Sequence, residues 1–468
     1  MARGAAVTDT PWLGDACSLV DAFRSGERTP LDELEATLAA VEASDLNAFS
    51  YLEPETARQA ASRADVNRPF GGVPVGVKEL DSVAGWPYTQ ASVPLKDEVA
   101  THDSTLVHRL RDAGAVLAGL TTSSEFGGVN LTRTNLNGVT RNPWDVSRTP
   151  GGSTGGGAAA VAGGLVTVGT GGDGGGSLRI PAGFTGLFGL KCTYGRIPKS
   201  PEMLLGSVTA VLGCVSRSVR DTARFVDVTN GFDHRDPYSL ARVDGWEAGL
   251  GTRELRGKRA VIAPDLGIAV VHPDVAEMVV THGEALARDA GLELVDVPVK
   301  LPELGYEWAL SGLSEILALL GDRYPECEPD LTLEIGFGLK LATEVYNLEA
   351  RARIENRRTA MNEAMAEIFD QVDLVIAAAN PDVAFAAEGP LPTKVGDQQT
   401  ELGNNGALTI PANVFGNPGC SIPIGATRGL PVGLQVIARH FEEPLLLDLA
   451  LTAERERPWP LVAPGAPV

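Results

Sequence analysis

Apolar and polar positions change rhythm along the chain, and the changes mark its elements. Over residues 10–65 the spacing is helical: Thr29-Pro30 supplies an N-cap and an N1 proline, after which Leu31, Leu34, Leu38 and Val41 return on one face. From Pro74 the texture shifts to short apolar runs between glycine-rich turns, VPVGV before Lys78, AVLAGL at 115–120 and LVTVG at 165–169, which read as buried strands. HDSTLVHRLRDAG lies between the first two and ends in Gly114, as a helix closed by a C′ glycine does, so the order is strand, helix, strand. Further strands are predicted at 258–264, 292–299 and 373–380, with helical patterns between them, above all around 340–370. The chain closes as strand, strand, helix through CSIPIG, PVGLQVIA and EPLLLDLALTAERER. This alternation predicts an α/β fold, a single-domain sandwich with a large mixed β-sheet covered by helices on both faces. No repeat and no Gly/Ser or charged linker divides the 468 residues. The expected organisation is one domain: a helical N-terminal layer at 1–70, a core at 71–200, a variable region at 201–415, and closing strands and helix at 416–468.

Composition narrows the function. A chain that is 44% hydrophobic has enough apolar material for a large core. A formal net charge of −21, with no Lys/Arg-rich run, argues against nucleic acid and anionic membrane surfaces as partners. No segment approaches 18 uninterrupted apolar residues, and the opening MARGAAVTDTPW lacks the apolar run of a signal peptide, so the expected location is the cytoplasm. The five cysteines are odd in number, far apart and never in a C-x-x-C pair, which predicts buried free thiols. Six scattered histidines show no ligand spacing, so no metal and no cofactor is expected.

The stretch 151–198 is the most unusual. Glycines crowd around two serines, and Pro181 and Pro198 bar a long helix after the second, which predicts mostly special turns. GTGGDG at 169–174 matches G-x-G-x-x-G, but a dinucleotide fingerprint needs a helix at its third glycine and an acidic residue about 20 positions on. Here Pro181 interrupts, and no Asp or Glu stands between Asp173 and Glu202. GGSTG at 151–155 fits the nucleophile elbow of α/β-hydrolases, which would make Ser153 the nucleophile of an esterase. That reading leaves the second cluster unexplained, and none of His234, His272, His282 and His440 is marked out as its partner.

A third reading uses both clusters. PGGSTGGGAAAVAGGL at 150–165 and GGDGGGSLRIPAGFTGLFGLKCTYGR at 171–196 resemble the signature segment of the amidase signature family, and PVGVKEL at 74–80 resembles its upstream lysine strand. Similarity continues in SEFGG at 124–128, TRNPWD at 140–145 and NPGCSIPIG…GLPVGLQVIARHFEE, and so covers nearly the whole chain. The resemblance implies a Ser-Ser-Lys triad: Ser177 attacks, Ser153, set after a cis Gly152–Ser153 peptide, relays protons, and Lys78 is the base. It also implies an oxyanion hole from Gly174, Gly175, Gly176 and Ser177, with Thr154, Asp173 and Arg179 supporting the site, the last two mainly by holding the loop. Segment 123–130 and the variable region 300–415 are expected to line the pocket.

The chemistry needs these parts. An amide demands an activated nucleophile, a stabilised oxyanion and a proton for the leaving nitrogen. Lys78 accepts a proton only when neutral, which burial between Val75 and Val77 favours, while Glu79 points to the opposite face of a strand. Three positions depart from the family pattern: Glu79 replaces an Asp, Thr154 a Ser, and Gly174 a side-chain-bearing residue, which implies a looser oxyanion loop. Family substrates implied are aliphatic, aryl and fatty amides, anilides and carbamates (urethanes), with a homodimer as the implied assembly. The alternative within the family is the glutamine-hydrolysing subunit of a tRNA-dependent amidotransferase. That subunit commonly carries Gln where this chain has Ile180, whose apolar side chain suits a less polar acyl group. A non-catalytic binder of the same fold is the alternative from another class.

Overall fold

The computed structural model describes residues 10–200 and 208–468. The signal-peptide argument, and residues 1–9 of the predicted helical layer, fall largely outside them. One eleven-stranded sheet runs through the molecule. In chain order its strands are β1 (Phe49–Leu52), β2 (Pro74–Lys78), β3 (Val116–Thr121), β4 (Val168–Asp173), β5 (Phe188–Lys191), β6 (Val211–Ser216), β7 (Arg259–Ile262), β8 (Glu293–Leu294), β9 (Leu374–Ala378), β10 (Gly419–Thr427) and β11 (Leu430–Ala438). In space the order is β1-β3-β2-β4-β6-β5-β10-β11-β9-β7-β8. β2 runs parallel to β3 and β4, whereas β4 meets β6, and β10 meets β5 and β11, antiparallel. The sheet is therefore mixed.

Successive strand residues point to opposite faces. All five residues of β9 and all nine of β11 are buried, so both faces of the sheet are covered. The helices are α1 (Ala16–Ser25), α2 (Pro30–Ala43), α3 (Pro54–Ser62), α4 (Thr105–Asp112), α5 (Gly155–Ala162), α6 (Arg179–Thr185), α7 (Val219–Thr229), α8 (Pro273–Ala290), α9 (Gly305–Leu320), α10 (Leu333–Val345), α11 (Leu348–Phe369), α12 (Ile410–Phe415) and α13 (Glu443–Glu456). The largest core unites β5, β7, β9, β10 and β11 with α7, α8, α11, α12 and α13, and a second packs α5 against Leu178, Ala182 and Val215. Thr29 caps α2 by accepting from the Asp32 N–H, with Pro30 in its first turn, as the sequence predicts. All five cysteines are free and buried. Among the described residues no helix is long and apolar enough to cross a membrane.

Three expectations change. The stretch 10–65 is not helical throughout, because FSYL at 49–52 forms β1 along the free edge of β3, where Phe49 and Tyr51 pair with Thr121 and Leu120. The 292–299 run keeps only the two-residue β8, both of whose residues are exposed at the sheet's edge. The stretch 151–198 is not mostly turns, since it holds α5, β4, α6 and β5. Glycines 155–157 cost helix propensity, but every residue of α5 is buried, and a Cβ on Gly156 would lie 2.4 Å from the Thr122 nitrogen. Close packing, which no side chain there permits, outweighs propensity. Pro181 is tolerated because it falls in the first turn of α6, where N–H groups lack helical partners in any case.

Candidate active site

Lys78 ends β2, a strand buried at all five positions, with Val75 and Val77 fully covered. Its backbone N–H donates to Thr170 Oγ1 of β4 at 2.8 Å, and that hydroxyl donates to Asp81 at 3.0 Å. The side chain crosses to the turn that opens α5, where Nζ lies 2.7 Å from Ser153 Oγ and 3.1 Å from Thr154 Oγ1. The Gly152–Ser153 peptide is cis, and Gly152 is enclosed so tightly that a Cβ would lie 2.7 Å from the Val129 carbonyl oxygen. Ser177 sits in the turn from β4 to α6 and lines the same cavity as Lys78 and Ser153. The structure thus brings the three expected residues to one cavity, with Lys78 bonded to Ser153; among the described residues no hydrogen bond joins Ser153 to Ser177.

Burial lowers the Lys78 ammonium to about 8, against the carboxylates of Asp81, Asp173 and Glu79, which raise it. Glu79 is turned away as strand alternation requires. It accepts from the Ser123 N–H at 2.6 Å and from Asn137 at 2.8 and 3.0 Å, and burial pushes it up to about 7.

Asp173 and Arg179 anchor the turn that carries Ser177. Both are fully buried, paired through Arg179 Nη2 at 2.9 Å and Nε at 3.0 Å, and Arg179 also donates to Gln435 at 2.7 Å and Asn413 at 2.6 Å. Burial alone would raise the Asp173 carboxyl, but Arg179, Lys191 and Asn413 together hold it well below the usual carboxylate range. The Gly176 N–H donates to Asp173 Oδ1 at 2.8 Å. Of the four expected oxyanion donors, Gly176 already has a partner inside the protein, whereas Gly174, Gly175 and Ser177 line the cavity. The carbonyls of Gly174 and Gly175 are held by Trp308 Nε1 at 2.8 Å and Thr409 Oγ1 at 2.6 Å.

The cavity encloses about 1040 Å³. Phe126 to Val129 form part of its wall, and α9 and α10 contribute Trp308, Leu313, Ile316, Leu333 and Phe337, so segments 123–130 and 300–415 line it as expected. Ile180 does not line it. It packs with Phe184 and Ala384, behind the turn, so the polarity argument built on that position does not hold. Spacing alone marks neither Thr170, Asn413, Thr409 nor Trp308, which reach the site from distant parts of the chain. One group of ligand-type atoms, Asp15, Cys17 and Asp221, comes together among the described residues. None of these lines the cavity, and Asp221 is occupied in accepting from the Ala16 and Cys17 N–H groups.

Comparison with known proteins identifies the family. The family model described as Amidase matches residues 32–447. The A component of glutamyl-tRNA(Gln) amidotransferase from Roseiflexus sp. (strain RS-1) is 33% identical over 96% of this chain and 97% of its own length. Among solved structures, a bacterial aryl acylamidase of the amidase signature family is 26% identical with a TM-score of 0.89, covering 96% of this chain and 97% of that one. The 6-aminohexanoate cyclic dimer hydrolase is 29% identical with a TM-score of 0.86, over 97% and 99% of the two chains. The chain therefore belongs to the amidase family and is an amide C–N hydrolase of the amidase signature type.

Proposed function

We propose that this chain hydrolyses amides, anilides or carbamates that carry a bulky apolar group, through an acyl-enzyme on Ser177. The observation that carries this reading is the 2.7 Å contact between Lys78 Nζ and Ser153 Oγ in the cavity that also contains Ser177. Neutral Lys78 takes the Ser153 proton, Ser153 takes the Ser177 proton, and Ser177 Oγ bonds to the substrate carbonyl carbon. The N–H groups of Gly174, Gly175 and Ser177 receive the oxyanion. The proton returns through Ser153 to the leaving nitrogen, the C–N bond breaks and the amine departs. Water then attacks the ester along the same relay, releasing the acid and restoring Ser177.

The likeness to the glutamyl-tRNA(Gln) amidotransferase component supports a second reading, glutamine hydrolysis for a partner enzyme. The apolar wall of Trp308, Leu313, Ile316 and Phe337 supports the first, because an aryl or alkyl group is held by this surface, while Lys199, Glu315 and Glu334, which also line the cavity, are the charged partners that the second would use. The test is turnover by the purified chain alone. The first reading expects release of aniline from a chromogenic anilide, with glutamine hydrolysed at least about a hundredfold more slowly, a gap set by burying unmatched polar groups. Glutamine turnover with inert anilides and carbamates would reverse the assignment.

A further inference from the structure

Trp308 belongs to α9, far along the chain from every residue assigned a chemical role, yet it touches the turn that carries Ser177 in two independent ways. Its indole N–H donates to the Gly174 carbonyl at 2.8 Å. Its six-membered ring lies against Gly175 so closely that a Cβ there would be 2.5 Å from Cζ2. The same side chain forms part of the cavity wall.

A trans peptide is planar, with C=O and N–H on opposite sides. Holding the Gly174 carbonyl on the indole therefore fixes the Gly175 N–H in the reverse direction. Thr409 does the same for the next peptide, whose N–H is received by Asp173. Gly174 itself has room: a Cβ would meet only Ala210, at 3.4 Å, an ordinary contact. The freedom introduced by glycine at this position is not removed by its own surroundings, so the restraint comes from outside the turn.

We propose that Trp308 is a positioning residue for the reaction, clamping the Gly174–Gly175 peptide through its carbonyl so that the Gly175 N–H is aimed before substrate arrives. This rests on the Ser177 reading above. It makes the pocket wall and the catalytic turn one mechanical unit, so substrate bulk that displaces the indole also loosens the oxyanion donors.

The test is Trp308→Phe, which keeps a ring but removes the N–H donor, assayed beside Ser177→Ala on one anilide. Losing an oxyanion donor outright costs about 10²–10³ in kcat, so misaiming one is expected to lower kcat about tenfold with KM within about twofold. Gly174→Ala, which stiffens the turn where space allows, is expected to recover part of that loss in the Trp308→Phe background. A raised KM with unchanged kcat would show that the indole only lines the pocket and would overturn the inference. If Trp308→Phe unfolds, Gly175→Ala decides: its methyl strikes the indole, so kcat falls in an otherwise native protein, and an unchanged kcat contradicts the clamp. Ser177→Ala retaining activity would sink the nucleophile assignment instead.

Discussion

The segment 150–198 and the wall formed by α9 and α10 face the same cavity but are built differently. The first is almost wholly buried, and Asp173 within it receives Arg179, Asn413 and the Gly176 N–H. The second is half exposed, with Leu333 and Phe337 showing 80% and 66% of their surface although they also line the cavity. Changes in the first should abolish the reaction or the fold. Changes in the second should redirect which substrates are accepted.

The heaviest loss is chemical. Ser177→Ala and Lys78→Ala are each expected to lower kcat by a factor on the order of 10³ or more with the fold intact, measured by anilide turnover and circular dichroism. Next comes the buried pair. Arg179→Met removes the ion-pair partner of Asp173 at zero exposure and is expected to cost about 3–5 kcal/mol of stability, read from urea unfolding. A normal unfolding midpoint would show that the pair is not what holds the turn.

A gentler probe is pH. With Lys78 lowered by burial to about 8, kcat/KM should climb as pH rises through that value, because the neutral amine is the active form. The linkage has the same sign. Between about 8 and 10.5 the unfolded chain binds the Lys78 proton that the folded chain has released, so this group's contribution to stability increases with pH across that window. A profile flat across that window and below it contradicts Lys78 as base. The weakest effect belongs to the exposed wall. Phe337→Ala is expected to change stability by less than about 0.5 kcal/mol, and to raise KM several-fold for bulky anilides while leaving a small aliphatic amide unaffected. Equal effects on both substrates would remove Phe337 from substrate selection.

The same contrast governs what can be read from residues alone. PVGVK declares a buried strand through its apolar run, and the two glycine-serine clusters declare the turn chemistry, because both signals are local. The all-helical reading of 10–65 fails at FSYL because a four-residue edge strand is created by its neighbour, β3, and not by its own pattern. Helix α5 forms despite its three glycines, which answer to contacts with Thr122 and β4. The partner of the Gly176 N–H depends on how far Asp173 folds back, which spacing does not encode. Trp308 and Thr409 are invisible for a related reason: each reaches the turn across more than 130 intervening residues of chain.

The identity of the nucleophile is decided by covalent capture. The protein is incubated with a fluorophosphonate and the labelled peptide is sequenced by mass spectrometry, with wild type, Ser153→Ala and Ser177→Ala in parallel. A single adduct on Ser177 is expected, slowed in Ser153→Ala and absent from Ser177→Ala. An adduct on Ser153, or undiminished labelling of Ser177→Ala, would contradict the assignment of Ser177 as the attacking group.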